Sequence, residues 1–418
     1  MEMSSEKKQL PKPKRRWFQL RLRTLLALIA IASAVLGWVV FELDQRQGEK
    51  KAIAWVEDMS GAVGFEFKGS VGYQLDYKPE RFIEVSWWDK FKDDLFGRRV
   101  VSVNLSRTAV SDLSPLAGLK NLHLLNLHQA EVSDLTPLAG LKNLKELDLS
   151  EANNLHDLAP LANLKRLNRL VLSFSSVSDL RPLAGLSCLE DLELRDTRVS
   201  DLSPLAALEN LDFLHLGNLV KVHDLNPLAD LIKLNWLILY NTQVSDLTPL
   251  AGLINLESLD VNGTRVSDLS PLAGLENLDE LDIVGAEIKV SDLVPLAELK
   301  NLRSLSLSIM EARDVAPLAG LEKLRFLTLR GEQLNDFSPL AELTNLEIVR
   351  LEGTSLSDLS PLAELKELRI IYMSRTEVSD LSPLADLDLE RIFIRKTRVN
   401  ESQLEAFRLA HPNCTVYR

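Results

Sequence analysis

The sequence predicts an α/β solenoid, a stack of one repeated unit, preceded by an N-terminal transmembrane helix. Three observations predict it. The phrase D-L-x-P-L-A recurs, with one leucine varied in DVAPLA and DFSPLA. Its prolines are Pro115, Pro137, Pro160, Pro182, Pro204, Pro227, Pro249, Pro271, Pro295, Pro317, Pro339, Pro361 and Pro383, at intervals of 22 to 24 residues. A period that constant means a stack, because each unit can bury its apolar edge only against its neighbours. Before each phrase, apolar residues alternate with polar ones, the period of a strand with one covered face. Finally, Thr24 to Phe41 is an uncharged run of 18 residues.

That run would make a helix of about 27 Å, close to the hydrocarbon thickness of a bilayer. Eight basic residues and two acids precede or flank it in residues 1–41, a net of +6, so residues 42–418 must carry −18 to reach the chain's −12. The positive-inside rule then predicts a basic cytoplasmic tail at 1–23, a spanning segment at 24–41, and a repeat domain in the periplasm or outside the cell. Trp17 and Trp38 fall near the two ends of the span, where aromatic rings favour the interface. A cleaved signal peptide and a buried soluble helix are the alternatives. Ala30-Ile31-Ala32 and Ala32-Ser33-Ala34 resemble cleavage sites, but the apolar run continues through Val35, Leu36, Val39, Val40 and Phe41.

Residues 42–99 read as linker and N-terminal cap. Glu49 to Met59 has the pattern of an amphipathic helix, Gly61 to Tyr77 that of strands or a hairpin, and Trp87 to Phe96 that of a short helix leading into Val101–Leu105. Trp87, Trp88, Phe91 and Phe96, with Arg98 and Arg99, could cover the first coil or lie on a membrane surface, and a cap is required because an open end exposes the core. Residues 100–398 are the repeats. In the copy Asn255–Leu275, Leu256, Leu259 and Val261 face inward while Ser258, Asp260 and Asn262 face outward. Asn262-Gly263-Thr264 makes a turn, and Val266 and Leu269 return inward. Ser270-Pro271 then opens a short helical turn, with the hydroxyl expected at the N-cap and the proline at the first helical position. The residue before that proline is Ser, Thr or Asn except at Ala159, Arg181, Val294 and Ala316. Residues 399–418 form a C-terminal cap, where Leu404, Phe407, Leu409 and Val416 can cover the last coil.

The unit N-L-x-x-L-x-L-x-x-T-x-V-S-D-L-S-P-L-A-G-L resembles the 22-residue class of leucine-rich repeats. That class includes bacterial internalins and a eukaryotic phosphatase-regulating subunit, and the basic tail, single apolar segment and acidic body resemble membrane-anchored bacterial members. The resemblance covers roughly residues 100–398. It implies a curved horseshoe with a parallel sheet on the concave face and short helical turns on the convex side. At about 4.8 Å per strand the stack would be about 60 Å long.

The remaining signals mostly exclude chemistry. An acidic body is a poor nucleic-acid binder, because phosphate contact needs a cationic face. Two cysteines rule out a disulfide scaffold, and Cys188 and Cys414 lie about ten coils apart. Cys188 reads as a small core residue and Cys414 as cap packing. His156 and His223 are about 14 Å apart along the stack, and His123 and His128 lack partners at ligand spacing, so no metal site is expected. The repeat aspartates, from Asp112 to Asp380, read as turn residues accepting backbone N–H bonds. No phosphate loop, nucleophile elbow or metalloprotease motif occurs, and no catalytic residue or cofactor is expected.

The concave face carries the information. Glu146 and Asp148, then Asp191 and Glu193, are acidic; Phe213, His215, Trp236, Ile238 and Tyr240 follow; then Asp260, Glu280 and Asp282. Ser304, Ser306 and Ser308 make a hydroxyl row, and Arg330, Arg350, Arg391, Arg395 and Lys396 make the far end basic. Carboxylates two residues apart on a strand are about 6–7 Å apart, a spacing used by glycoside hydrolases. An open face, however, offers no water-excluding pocket to raise one pKa. Aromatic residues are enriched at binding hot spots. The expected footprint is therefore Phe213, His215, Trp236, Ile238 and Tyr240, rimmed by Asp191, Glu193, Asp260 and Asp282. The expected role is a non-enzymatic, membrane-anchored module that binds a protein or glycan. A regulatory subunit of an enzyme and, remotely, a hydrolase using the concave carboxylates are the alternatives.

Overall fold

The computed structural model describes residues 15–65, 99–285, 292–308 and 315–418. Their strands form one 16-stranded sheet ordered as in the sequence, without crossovers. Each repeat strand pairs in parallel with the next, as Leu237 with Leu259 and Leu259 with Leu281. The first pair differs. Ala62–Phe65 runs antiparallel to Val100–Asn104, with Ala62 opposite Asn104. Behind each strand the chain makes a short 3-10 turn such as Ser270–Leu272. The result is an open solenoid.

The inward frame is as read. Leu256, Leu259, Val261, Val266, Leu272 and Leu275 are fully buried, and their equivalents in the other coils form one continuous core. Two polar ladders hold the coils in place. The threonine after the strand donates from Oγ1 to the carbonyl three residues back, as Thr242 does to Leu239 at 2.8 Å. The asparagine before the strand donates to a carbonyl of the preceding coil, as Asn255 Nδ2 does to Ile232 at 2.7 Å and Asn277 to Ile254 at 2.8 Å. Buried backbone groups thereby find partners without water.

The helical turns start differently from the expectation. The N-cap is a leucine with no side-chain cap bond, as at Leu269, and Ser270 is already inside the turn with Pro271 second. The aspartate two residues upstream does the capping: Asp268 Oδ1 accepts the Ser270 backbone N–H at 2.8 Å. Asp157 accepts from Ala159, Asp179 from Arg181 and Asp292 from Val294 in the same way. The bond uses a backbone donor, so the residue before the proline is free to vary. The hydrogen bonds to Ser270 hold Asp268 below the ordinary carboxylate range, and those from Arg181 bring Asp179 to about 2.

Turns after most of the repeat strands place one residue in the left-handed region, among them Arg107, Gln129, Phe174, Asn241, Gly263 and Lys396, whereas the turn after Phe326–Arg330 has none. Gly263 is needed at its position, since a Cβ there would run into Asn241 Oδ1.

The predicted membrane span is overturned. Among the described residues no helix is long and apolar enough to cross a membrane. This removes the expected cytoplasmic tail at 1–23, the spanning segment at 24–41, and the assignment of the repeats to the periplasm or cell exterior. The helix α1, Arg15–Asp58, does not stop where the uncharged run ends. It continues through Glu42, Asp44, Arg46, Glu49, Lys50, Lys51, Glu57 and Asp58, and this charged half docks on the solenoid. Ala52 and Val56 are fully buried there. Arg46 donates to Glu49 at 2.9 Å, and Arg99, just before the second strand, bonds Glu42. Ile29, Ile31, Val35, Leu36, Val40 and Phe41 are exposed. The readings for 66–98, including Trp87, Trp88, Phe91 and Phe96, lie outside the described residues. At the other end α2, Glu401–Ala410, begins with a capping box between Asn400 and Gln403 and buries Leu404 and Phe407, while Leu409 is exposed rather than covering the last coil.

Candidate binding face

Register brings the expected footprint together. Asp191, Phe213, Trp236, Ser258 and Glu280 are successive partners in one row across the sheet. Glu193, His215, Ile238, Asp260 and Asp282 form the next row on the same face. Tyr240 lies two residues past the Trp236–Ile238 strand, yet its ring reaches back to His215, centroid to centroid 5.6 Å. Phe213 meets His215 edge-on at 6.4 Å. All these footprint residues are half-buried rather than projecting freely into water. The aromatic group is a fixed platform packed within the sheet surface.

His215 is the centre of that platform. Burial first, and the Arg195 guanidinium second, hold its pKa down to about 4, so the ring is neutral at neutral pH. Its Nε2 is buried and has no hydrogen-bond partner among the described residues. Gly217 lets the rings close: a Cβ there would approach Tyr240 Cε1 to 2.5 Å. Arg195 spans the rim, 4.8 Å from the Phe174 ring centre and 5.6 Å from that of Tyr240.

The two acidic rims differ. On one side Arg169, which the sequence reading passed over, donates to Glu193 at 2.6 Å and to Asp191 at 3.3 Å. It sits in the first row, opposite Asp191, and converts that rim into an ion-paired cluster. On the other side Asp260 accepts from the Asn262 backbone at 2.9 Å. Burial raises its pKa to about 6, against that hydrogen bond, and Asp282 and Glu280 add repulsion. The expectation that an open face could not raise a carboxylate pKa is therefore corrected: half-burial among like charges suffices. Burial also raises Glu146, Glu193 and Glu280.

A second group was not read as a unit. Tyr372, Phe393 and Tyr417 are register partners. Their rings stack with centroids 4.2 and 4.3 Å apart and planes 7° and 4° from parallel. Arg350 closes the stack, 4.4 Å from the Tyr372 ring centre. The sequence signal was the row position itself, followed coil by coil through unequal intervals.

Other expectations come out unevenly. Cys188 is exposed, not a core residue, because it follows the helical turn on the outer side of its coil. Cys414 is half-buried against the core. Among the described residues no cluster of His, Cys, Asp and Glu could hold a metal ion.

Comparisons agree with this geometry. A family described as leucine rich repeats, two copies, matches residues 232–274. No curated protein matches the sequence. Among solved structures, an internalin of Listeria monocytogenes is 25% identical, with 76% of this chain and 86% of that one covered and a TM-score of 0.62. A leucine-rich-repeat protein of Leptospira interrogans is 23% identical, covering 75% and 83%, with a TM-score of 0.69. The ectodomain of a plant membrane receptor kinase from Arabidopsis thaliana, in complex with Casparian strip integrity factor 2, is 16% identical, covering 69% and 43%, with a TM-score of 0.51. Repeat signature, sheet and neighbours are those of leucine-rich-repeat solenoids, and residues 232–274 match that family. The chain's repeats resemble those of the internalin.

Proposed function

We propose that this chain binds a polypeptide on the open face of its sheet, the face expected to be concave. Phe213, His215, Trp236, Ile238 and Tyr240 would form the centre of contact, with Asp191, Glu193, Asp260 and Asp282 as rim. The observation that carries the reading is the register: Phe213 pairs with Trp236 and His215 with Ile238 on adjacent strands. Large half-buried side chains held by packing lose little freedom on binding, which favours affinity. A neutral His215 spares the partner the cost of covering a charge. The receptor-ectodomain neighbour solved with a bound factor supports a protein rather than a glycan as partner. Binding needs no turnover, and this fold is typically a non-enzymatic scaffold. In the same reading residues 42–99 are linker and cap, 100–398 the binding array, and 399–418 the closing cap.

The test is capture by the immobilised full chain, with wild type and Trp236→Ala compared side by side. A protein retained by wild type and weakened about tenfold or more by the substitution supports the reading. Equal retention by both would remove Trp236 from the contact and sink it.

A further inference from the structure

We infer that the last coils of the sheet form a second docking surface, built for an extended acidic polypeptide segment. It is separate from the platform around Trp236. Arg330, Arg350, Arg391 and Arg395 are exposed on the same face of the Phe326–Arg330, Ile348–Arg350 and Arg391–Phe393 strands and the turn after the last of these. Three neighbouring arginines off this face are paired: Arg325 with Glu347 at 2.5 Å, Arg369 with Asp388 at 2.7 Å, Arg398 with Glu377 at 3.1 Å. Among the described residues Arg330, Arg391 and Arg395 have no such carboxylate, and Arg350 lies on the Tyr372 ring. The one acid at an outward position of these coils is Glu352.

The aromatic stack decides what kind of anion fits. Rings on adjacent strands, nearly parallel and about one strand spacing apart, have their normals along the solenoid axis. The inner faces are covered by one another and by Arg350, so the stack presents ring edges to an incoming partner. Ring edges are the positive rim of the aromatic quadrupole and attract oxygen lone pairs. A base or a sugar ring needs a free aromatic face to stack on, and within the row the outer face of Tyr417 is the one left open. Carboxylates and peptide carbonyls need edges and guanidinium groups, which this surface supplies. Arg350 and Arg391 are two coils apart, about 10 Å. An extended peptide with an acid at every second residue places carboxylates about 7 Å apart on one side, within reach of such long side chains. The carboxylates of Asp260, Glu280 and Asp282 lie farther back along the same face and repel a long polyanion that tracks the whole sheet.

The probe is a short fluorescein-labelled peptide of alternating Glu and Ala, titrated with the full chain and followed by anisotropy. Saturable binding is expected, weakened about tenfold or more in an Arg391→Gln, Arg395→Gln double variant and unchanged in Trp236→Ala. Arg350→Gln gives a second, independent reading of the same surface. Equal binding by wild type and the double variant overturns the proposal. So does an oligothymidylate or an anionic polysaccharide of equal charge that binds as tightly as the peptide. Since Trp236→Ala reports on the central platform alone, failure here and failure there are distinguishable.

Discussion

Asp157 accepts the backbone N–H of Ala159 at 2.8 Å, in a coil where no hydroxyl is available at that position. The same bond recurs where the donating residue is Arg181, Ser203 or Val294. In these coils the aspartate, not the serine, therefore starts the helical turn. Asp157→Ala should cost about 1 kcal/mol, the usual cost of losing a side-chain cap, while Ser203→Ala should stay within about 0.5 kcal/mol of wild type. Urea unfolding of both variants checks this; a larger loss for Ser203→Ala would show the hydroxyl to be the cap.

Gly263 and Gly353 both sit at positive φ, +66° and +70°, but their surroundings differ. A Cβ at 263 collides with Asn241, whereas nothing lies within 4 Å of one at 353. Gly353→Ala should cost about 1 kcal/mol of backbone strain, and Gly263→Ala clearly more, by thermal unfolding. Equal losses would mean that the Asn241 side chain moves aside freely.

Asp260, with a pKa of about 6 in the fold against an ordinary value near 4, is penalised when ionised. The penalty is present above pH 6 and gone below about 4, so this group makes the fold more stable as pH falls through that window. His215 acts oppositely: its pKa of about 4 in the fold means stability is lost as pH falls from about 6.5 towards 4. Asp260→Asn should raise Tm at pH 7.5 and leave it unchanged at pH 4, and comparison with wild type at each pH cancels the histidine. A Tm difference independent of pH would refute the assignment.

Arg46 lies buried between Glu42 and Glu49 on α1. Arg46→Met leaves the buried Glu49 carboxylate without its hydrogen-bonded partner and Glu42 with Arg99 alone, and should destabilise the docked half of the helix by about 3 kcal/mol. Hydrogen exchange at Ala52 and Val56 would report it, and unchanged protection there would show that the ion pairs do not hold the helix.

Cys188 is exposed and Cys414 half-buried, with burial pushing the Cys414 thiol up. A thiol reagent should label Cys188 first in the native protein, the mutant Cys188→Ser leaving a slow phase alone. Equal rates would contradict the burial difference.

The stack and its inward frame were legible because period and alternation are set by local sterics and burial, and every coil repeats them. That Phe213, Trp236 and their neighbours share one face was legible too, since they occupy equivalent positions of adjacent copies. What escaped depended on pairing across coils. Arg169 reads as one isolated cation until register sets it beside Asp191. Tyr372, Phe393 and Tyr417 are separated by unequal intervals, because α2 lies between the last two, so a fixed period misaligns them. The span at 24–41 fails because an uncharged run does not show that its helix continues unbroken into the charged segment that docks on the solenoid. Ser270 was misplaced by one position because two side chains, its own and that of Asp268, compete for the same cap.

The ladders of Asp268 and Asn277 have a consequence for how such a chain can change. Where the next copy carries the asparagine, as Asn277 does, a coil meets its polar needs from its own aspartate and from that asparagine; Arg166, Cys188, Lys233, Lys323 and Glu367 stand there in other copies. Excising or duplicating a copy that lies between asparagine-bearing coils restores the same partners at the new junction. Recombination in units of the repeat can thus lengthen or shorten the molecule while the two ends of the sheet, and whatever they carry, are moved apart or together as intact pieces.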